Sequence, residues 1–248
     1  FQLLEPLVNL DDSRIAYEAV VDMIASNPEL VGIYAAGGGA EGLVQALREC
    51  GFKPGVVSRG YGGNAHAATR VDAQSAPAIV GDEARLIFDA THAPLAVARD
   101  RVAAAQLLLS SGEADVIVAD DGLQHYRLHR DVEICVIDGE RRFGNGRLLP
   151  AGPLREPMAR LASVDFRVCN GDVAQVSEVP MTLAGDVALS LGGAPQRALS
   201  EFAGQRVRAV AGIGNPSRFF AKLRDAGIDV VEHPFSDHHA FATSDLAF

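Results

Sequence analysis

Short apolar runs that alternate with helix-period segments constrain this chain more than any other feature of it. The runs fall at residues 30–36, 55–58, 95–98, 115–119 and 132–137, and segments of helical spacing or length separate them at 11–27, 40–50, 82–89 and 100–111. Strands that pair in parallel need a crossover of a dozen or more residues between them, and a helix supplies it in the right-handed sense. The sequence therefore predicts an α/β fold, a mainly parallel sheet flanked by helices. In the first helical segment Ile15, Ala19, Val20, Met23 and Ile24 share one face behind the capping residues Asp11, Asp12 and Ser13. The second follows Gly37, Gly38 and Gly39 and ends at Gly51, with Pro54 beyond it. Beyond residue 160 strands are expected near 166–169, 181–191 and 207–212 and a helix at 217–226. The expected division is an atypical helix–strand–helix segment at 1–50, a core at 51–160 and a smaller C-terminal α/β part at 161–248.

Composition narrows the function classes. Apolar residues at 48% and charged residues at 22% are ordinary for a soluble globular chain. A net charge of −10 removes the electrostatic drive toward a phosphate backbone, so no nucleic-acid partner is expected. Cys50, Cys135 and Cys169 lack any C-x-x-C spacing, which argues against a disulfide framework or a zinc site and fits a reducing cytoplasm. No run reaches the roughly 18 to 20 apolar residues of a membrane-spanning helix, and no signal-peptide pattern opens the chain, so a soluble or peripheral protein is expected.

Ligands of parallel α/β sheets collect at the carboxyl ends of the strands. The run 115–119 delivers Asp120 and Asp121 to such an end, followed by Gly122, Gln124 and His125. Two adjacent carboxylates there suit Mg2+, a hard cation that keeps waters and substrate phosphates as its other ligands. Taken alone, Asp-Asp-Gly is more often a solvated turn. Ser58-Arg59-Gly60-Tyr61-Gly62-Gly63 leaves a second strand end with three glycines, a cation and a ring, so its backbone can approach an anion while Arg59 neutralises it. The loop 146–157 holds Arg147 and Arg155 among three prolines and two glycines, a candidate phosphate clamp. Asp237-His238-His239 closes a strand-like segment, where a histidine can move a proton or orient a carboxylate, or be solvated.

The joint occurrence of these segments is what is specific. In chain order PGVVSRGYGG (54–63), VGDE (80–83), DDGLQH (120–125), DGERRFGNGRLLPAGPLREP (138–157), AGIGNP (211–216) and PFSDHH (234–239) resemble the segments of the lipid A 4'-kinase (tetraacyldisaccharide 4'-kinase) family, and the resemblance covers about four fifths of the chain, residues 51–248. It implies a P-loop-kinase-like fold. The implied activity is ATP-dependent, Mg2+-requiring phosphorylation of the 4'-hydroxyl of a tetraacylated glucosamine disaccharide 1-phosphate, a lipid A precursor. The implied place is the cytoplasmic face of the inner membrane, where the protein would be peripheral. Carried over residue by residue, Asp82 is the general base, tuned by His239 or His238, and Glu83 and Asp120 serve the metal. Asp121, Gln124 and His125 line the site, Arg59, Tyr61, Arg147 and Arg155 face phosphates or the lipid head group, and Asn215 lies near the nucleotide.

One segment departs from that family. P-loop enzymes wrap phosphates in a G-x-x-x-x-G-K-[ST] run whose Lys meets the β/γ oxygens and whose hydroxyl meets Mg2+. Here residues 33–40 read IYAAGGGA, with no Lys before Lys53 and no Ser or Thr between Ser26 and Ser58. The P-loop is therefore expected to be missing, as is the family's apolar N-terminal membrane helix. Residues 16–50 resemble instead a helix–strand–helix unit of the type I periplasmic sugar-binding and LacI-type regulator fold, which suggests a chimeric chain. Three readings stand at this point: a kinase with impaired turnover, a non-catalytic lipid- or nucleotide-binding module, and a sugar-binding regulator-like module.

Overall fold

The computed structural model describes residues 32–35, 40–171, 175–181, 186–188, 190, 196–237 and 239–247. The helix expected at 11–27, the glycines 37–39, most of the strand expected at 181–191 and His238 lie outside the described residues. Contacts divide the chain into two compact units, 1–183 and 184–248.

In the first unit the described chain runs β1 (Gly32–Ala35), α1 (Ala40–Glu49), β2 (Pro54–Ser58), β3 (Thr69–Val71), a single turn α2 (Pro77–Val80), α3 (Asp82–Thr91), β4 (Leu95–Val97), α4 (Arg101–Ser110) and β5 (Val116–Asp120). These strands form one sheet in the order β1-β5-β2-β4-β3. The first four are mutually parallel, and only β3 runs against its neighbour. That is the α/β architecture the alternation of runs predicts.

Side-chain period explains the layering. Successive residues of a strand face opposite sides of the sheet. Val56, Leu95, Val97, Val116 and Val118 join Leu43, Val44 and Leu47 of α1 and Ala84 of α3 in one core. Val57, Ala96 and Ala119 pack on the other side with Ala104, Ala105 and Leu108 of α4. β2 is buried along its whole length, which is why it reads as a continuous apolar run rather than an alternating one. Asp100 starts α4 by accepting a hydrogen bond from Val102 N–H at 3.1 Å.

Beyond β5 a second parallel sheet, β6 (Ile134–Asp138), β7 (Phe166–Asn170) and β8 (Val179–Met181), adds Ile134, Val168 and Val179 to the α1 side of the core. Because β7 and β8 pair onto β6, the first unit runs to residue 183, past the expected division between 51–160 and 161–248. The second unit holds a two-stranded antiparallel pair, β9 (Val187–Ala188) and β10 (Arg197–Ala198), and a parallel pair, β11 (Arg206–Ala211) and β12 (Asp229–Pro234), joined through α5 (Pro216–Asp225). Its core is Ala209, Ala211, Phe220, Leu223 and Ile228. Among the described residues no helix is long and apolar enough to cross a membrane.

Candidate active site

The register of the large sheet lines up its carboxyl ends. Ala35 pairs with Asp120, Val57 with Ala119 and Ser58 with Val97, so β1, β5, β2 and β4 end in one row. The segment expected in place of a phosphate cradle therefore leaves β1 beside Asp120, although residues 36–39 themselves lie outside the described residues. Within the row the buried Ser58 hydroxyl donates to Asp120 Oδ2 at 2.9 Å. Burial pushes the Asp120 carboxyl up, and the neighbouring Asp121 charge adds to that, while the Ser58 hydrogen bond and Arg101 oppose it. Arg101, 5% exposed at the start of α4, donates to the Asp121 carbonyl at 3.2 Å and holds the turn. Ser58 and Arg101 were not singled out from sequence. Each reads there as the end of a strand or the start of a helix, and only the register brings them to the aspartates.

Asp82 reaches this edge through a backbone joint. The loop after β2 docks on α2, with Asn64 N–H donating to the Ala78 carbonyl at 3.2 Å and Ala65 N–H to the Ile79 carbonyl at 3.0 Å. Gly81 sits against the same loop at φ 90°, ψ 151°, and a Cβ there would meet the Tyr61 carbonyl oxygen at 2.5 Å. The GYGG and VGDE segments are thus two halves of one contact, and α3 begins at Asp82 directly after it. Asp82 and Glu83 lie exposed in the first turn of α3. Arg59 and Tyr61 are exposed in the loop itself.

The loop expected to clamp phosphates comes to the same aspartates. Asn145 Nδ2 donates to the Ala151 carbonyl at 2.8 Å, Arg147 N–H to Asn145 Oδ1 at 3.1 Å and Leu154 N–H to the Arg147 carbonyl at 3.1 Å, so the loop is ordered by its own polar groups. Gln124 Nε2 donates to Glu156 Oε2 at 2.8 Å, and Arg155 Nη1 stands 4.0 Å from Asp121 Oδ2. Arg147 is exposed. His125 Nε2 is 3.4 Å from Asp100 Oδ1, and Arg127 Nη1 donates to Asp100 Oδ2 at 2.9 Å. Burial opposes ionisation of Asp100, but the Val102 N–H, Arg127 and His125 together hold its carboxyl below the usual range.

Asn215 and His239 belong to the second unit. There a Cβ on Gly212 would stand 3.1 Å from Phe241 Cζ and 3.3 Å from His239 Cβ, so the AGIGNP turn and the end of the PFSDHH run share the carboxyl edge of β11 and β12. His239 stacks on Phe235 at 4.5 Å, and its Nε2 lies 3.0 Å from Asp245 Oδ2. The Ala242 N–H and His239 lower the Asp245 carboxyl, which stays anionic beside the ring. Asn215 precedes α5 at its N-cap position.

Among the described residues no group of three or more His, Cys, Asp or Glu side chains is gathered as a metal cage. A carboxyl pushed up by burial and a like charge, as Asp120 is, gains most from a cation.

Residues 38–248 match the family model described as Tetraacyldisaccharide-1-P 4'-kinase. A tetraacyldisaccharide 4'-kinase of Stenotrophomonas maltophilia (strain R551-3) is 52% identical over 216 residues, covering 83% of this chain and 63% of that protein. Another, of Xanthomonas axonopodis pv. citri (strain 306), is 50% identical over 219 residues with the same coverage of 83% and 63%. The chain thus spans a little under two thirds of the curated relatives it matches, 63% of each. Among solved structures, "apo" form LpxK from Aquifex aeolicus in complex with ATP shares the fold, with a TM-score of 0.64 and 21% identity over 92% of this chain and 80% of that one.

Proposed function

Since the chain belongs to the tetraacyldisaccharide-1-P 4'-kinase family, we propose that its carboxyl-edge site is built for phosphoryl transfer from ATP to the 4'-hydroxyl of a tetraacylated glucosamine disaccharide 1-phosphate. The observation that carries the reading is that one sheet edge bears a strand-tip carboxylate (Asp120), an arginine beside its neighbour (Arg155 at Asp121) and, packed on the loop after β2 through Gly81, the helix that starts with Asp82. Phosphoryl transfer asks for positioning and charge neutralisation and for little covalent chemistry from the protein.

In this reading Asp82, at the helix N-terminus, accepts the proton of the 4'-hydroxyl. The hydroxyl oxygen bonds to the γ-phosphorus, the bond from that phosphorus to the bridging oxygen breaks, and ADP leaves with the electron pair. Asp120 and Glu83 would hold Mg2+, which when bound would neutralise charge on the phosphate oxygens. Asp121, Gln124 and His125 shape the nucleotide side. Arg59, Tyr61, Arg147 and Arg155 face phosphates or the head group. From the family resemblance alone, Asn215 would lie near the nucleotide and His239 or His238 would tune the base. Support for a lipid acceptor comes from the large apolar side chains exposed on the loops near the arginines, Tyr61, Leu149 and Met158. An amphiphilic acceptor suits a membrane surface, and the family resemblance implies the cytoplasmic face of the inner membrane.

Turnover in this chain is low in our reading, because residues 33–40 supply neither the Lys nor the Ser/Thr of a phosphate cradle. The same lack favours, as second reading, a module that binds its lipid or nucleotide without turnover. Titration with Mg-ATP, with the disaccharide lipid and with monosaccharides separates the readings. Saturable Mg-ATP binding that Asp120→Asn weakens supports the kinase site. Lipid binding without ATP supports the non-catalytic module, and monosaccharide binding alone would overturn both.

A further inference from the structure

Behind Asp121 and Arg155 lies a closed circuit of charged side chains with Glu133 at its centre. The Glu133 carboxylate is nearly buried, its side chain 11% exposed. Arg160 Nη2 donates to both its oxygens, at 2.6 and 2.7 Å, and Arg130 Nε approaches Oε1 at 2.7 Å. Arg130 also donates to the carbonyls of Gly122 and Leu123, at 3.3 and 3.1 Å, in the turn that follows Asp121. On the other side Arg160 Nε is 3.7 Å from Glu156 Oε1, and Glu156 Oε2 accepts from Gln124 in that same turn at 2.8 Å. The Tyr126 ring lies under both guanidinium groups, at 5.0 and 5.8 Å. Glu133 is itself fixed to the second sheet, since its N–H donates to Asp165 Oδ2 at 2.7 Å and its carbonyl accepts from Asp165 and Phe166 at 3.1 and 3.0 Å.

We propose that Glu133 is a positioning residue for the site: through Arg130 and Arg160 it joins the 121–125 turn to the 142–157 loop and so holds Arg155 opposite Asp121. The proposal rests on the kinase reading only for what Arg155 does there. Relative magnitudes decide what sets the placement of Arg155. The Arg155–Asp121 pair is 4.0 Å apart with side chains 64% and 69% exposed, and such a pair contributes little in water. Glu156, the residue next to Arg155, is held in the circuit with its side chain only 16% exposed. Two carboxylates face two guanidinium groups there, so each charge is compensated where solvent is scarce. Removing one member of such a set leaves another uncompensated, which is the costly case. Glu133→Gln is nearly isosteric. It sets an amide N–H2 against guanidinium donors and opens the circuit without a cavity.

The test uses the full chain carrying Glu133→Gln, Arg155→Ala or both, with far-UV circular dichroism to check folding. Without any ligand, amide exchange followed by mass spectrometry is expected to accelerate in 121–125 and in 142–157 together in Glu133→Gln, by about 10- to 100-fold, the range for losing a hydrogen bond to a charged group. Exchange that changes only around residues 130–137 and 163–167, or not at all, would overturn the proposal. Gln124→Ala, which cuts the circuit at an exposed side chain, is the companion variant should Glu133→Gln fail to fold. It too must speed exchange in both segments, and unchanged rates would again overturn the idea. With Mg-ATP as probe, each single variant is expected to bind more weakly and the double variant no more weakly than Arg155→Ala, because Glu133 acts through Arg155. Additive losses would mean that Glu133 merely supports the fold. A parent chain that does not bind Mg-ATP counts against the kinase reading alone, and the exchange data still decide the role of Glu133.

Discussion

Gly81→Ala tests the joint that seats Asp82. At φ 90°, ψ 151° this residue occupies backbone space that is essentially reserved for glycine, and holding a side-chain-bearing residue there costs about 1 to 3 kcal/mol. The new Cβ would stand 2.5 Å from the Tyr61 carbonyl oxygen and 3.0 Å from the Gly60 carbonyl carbon. Both are backbone atoms that no rotamer change can move, and forced overpacking of this kind costs a further 1 to 3 kcal/mol or so. The expected loss of about 2 to 6 kcal/mol is a large share of the roughly 5 to 15 kcal/mol that holds a domain together. Gly112→Ala is the control, since its φ is 72° but nothing lies within 4 Å of a Cβ there; it should lose only the backbone part, about 1 to 2 kcal/mol. Urea denaturation of the parent and both variants reads the difference. Equal midpoints for the two variants would refute the close packing of the 59–63 loop on Gly81. If Gly81→Ala remains folded, the strain is relieved by moving the loop, and any phosphate transfer should fall with it.

Two further outcomes follow from particular side chains. Asp82→Ala should leave the far-UV spectrum and denaturation midpoint near those of the parent, because Asp82 is exposed; placed in the chain whose residues 35–40 are replaced by a Gly-Thr-Gly-Lys-Thr-Pro run, it should lower phosphate transfer by about 10² to 10⁴, the range for losing a general base, and unchanged turnover there would assign the base elsewhere. Arg142 donates to both oxygens of Glu178, at 2.8 and 2.6 Å, and holds its carboxyl below the ordinary 4.5, so the pair stabilises fully above that pH and its contribution is lost as pH falls through the lower folded value. The gap in melting temperature between the parent and Glu178→Gln should therefore be widest near neutrality and close in acid, and a gap independent of pH would show that the pair does not titrate with folding.

Sequence was most informative where a single element carries the signal. β2 and β5 are buried on both sides, so their apolar runs stand out, and α1, α4 and α5 appear within a residue or two of their expected limits. β3 was not legible: Thr69–Val71 is short, polar in part and lies at the edge of its sheet. The continuation of the first unit past residue 161 depends on β7 and β8 pairing with β6, a long-range choice that no local pattern records. The candidate site divides the same way. Asp120 and Asp121 could be placed at a strand end from the run before them, and Arg155 from its proline-pinned loop. The docking of Gly81 on Tyr61 and the Ser58 hydrogen bond to Asp120 are tertiary contacts between segments far apart in the chain. Glu133 offered one overlooked cue, a carboxylate inside an apolar run and three residues after Arg130.

In the proposed reading this chain carries a phosphoryl-transfer site to which residues 33–40 bring no phosphate cradle. Each preorganised donor lost costs roughly 10² to 10³ in turnover, and residues 33–40 contain neither a Lys nor a Ser or Thr. The direct measurement replaces residues 35–40 with a Gly-Thr-Gly-Lys-Thr-Pro run and follows labelled phosphate from ATP to the tetraacylated disaccharide acceptor in the parent and the repaired chain. Little or no transfer by the parent and a gain on the order of 10² or more on repair are expected, since groups that act together are not additive. Robust transfer by the parent, or no gain in a repaired chain that folds as the parent does, would contradict this reading.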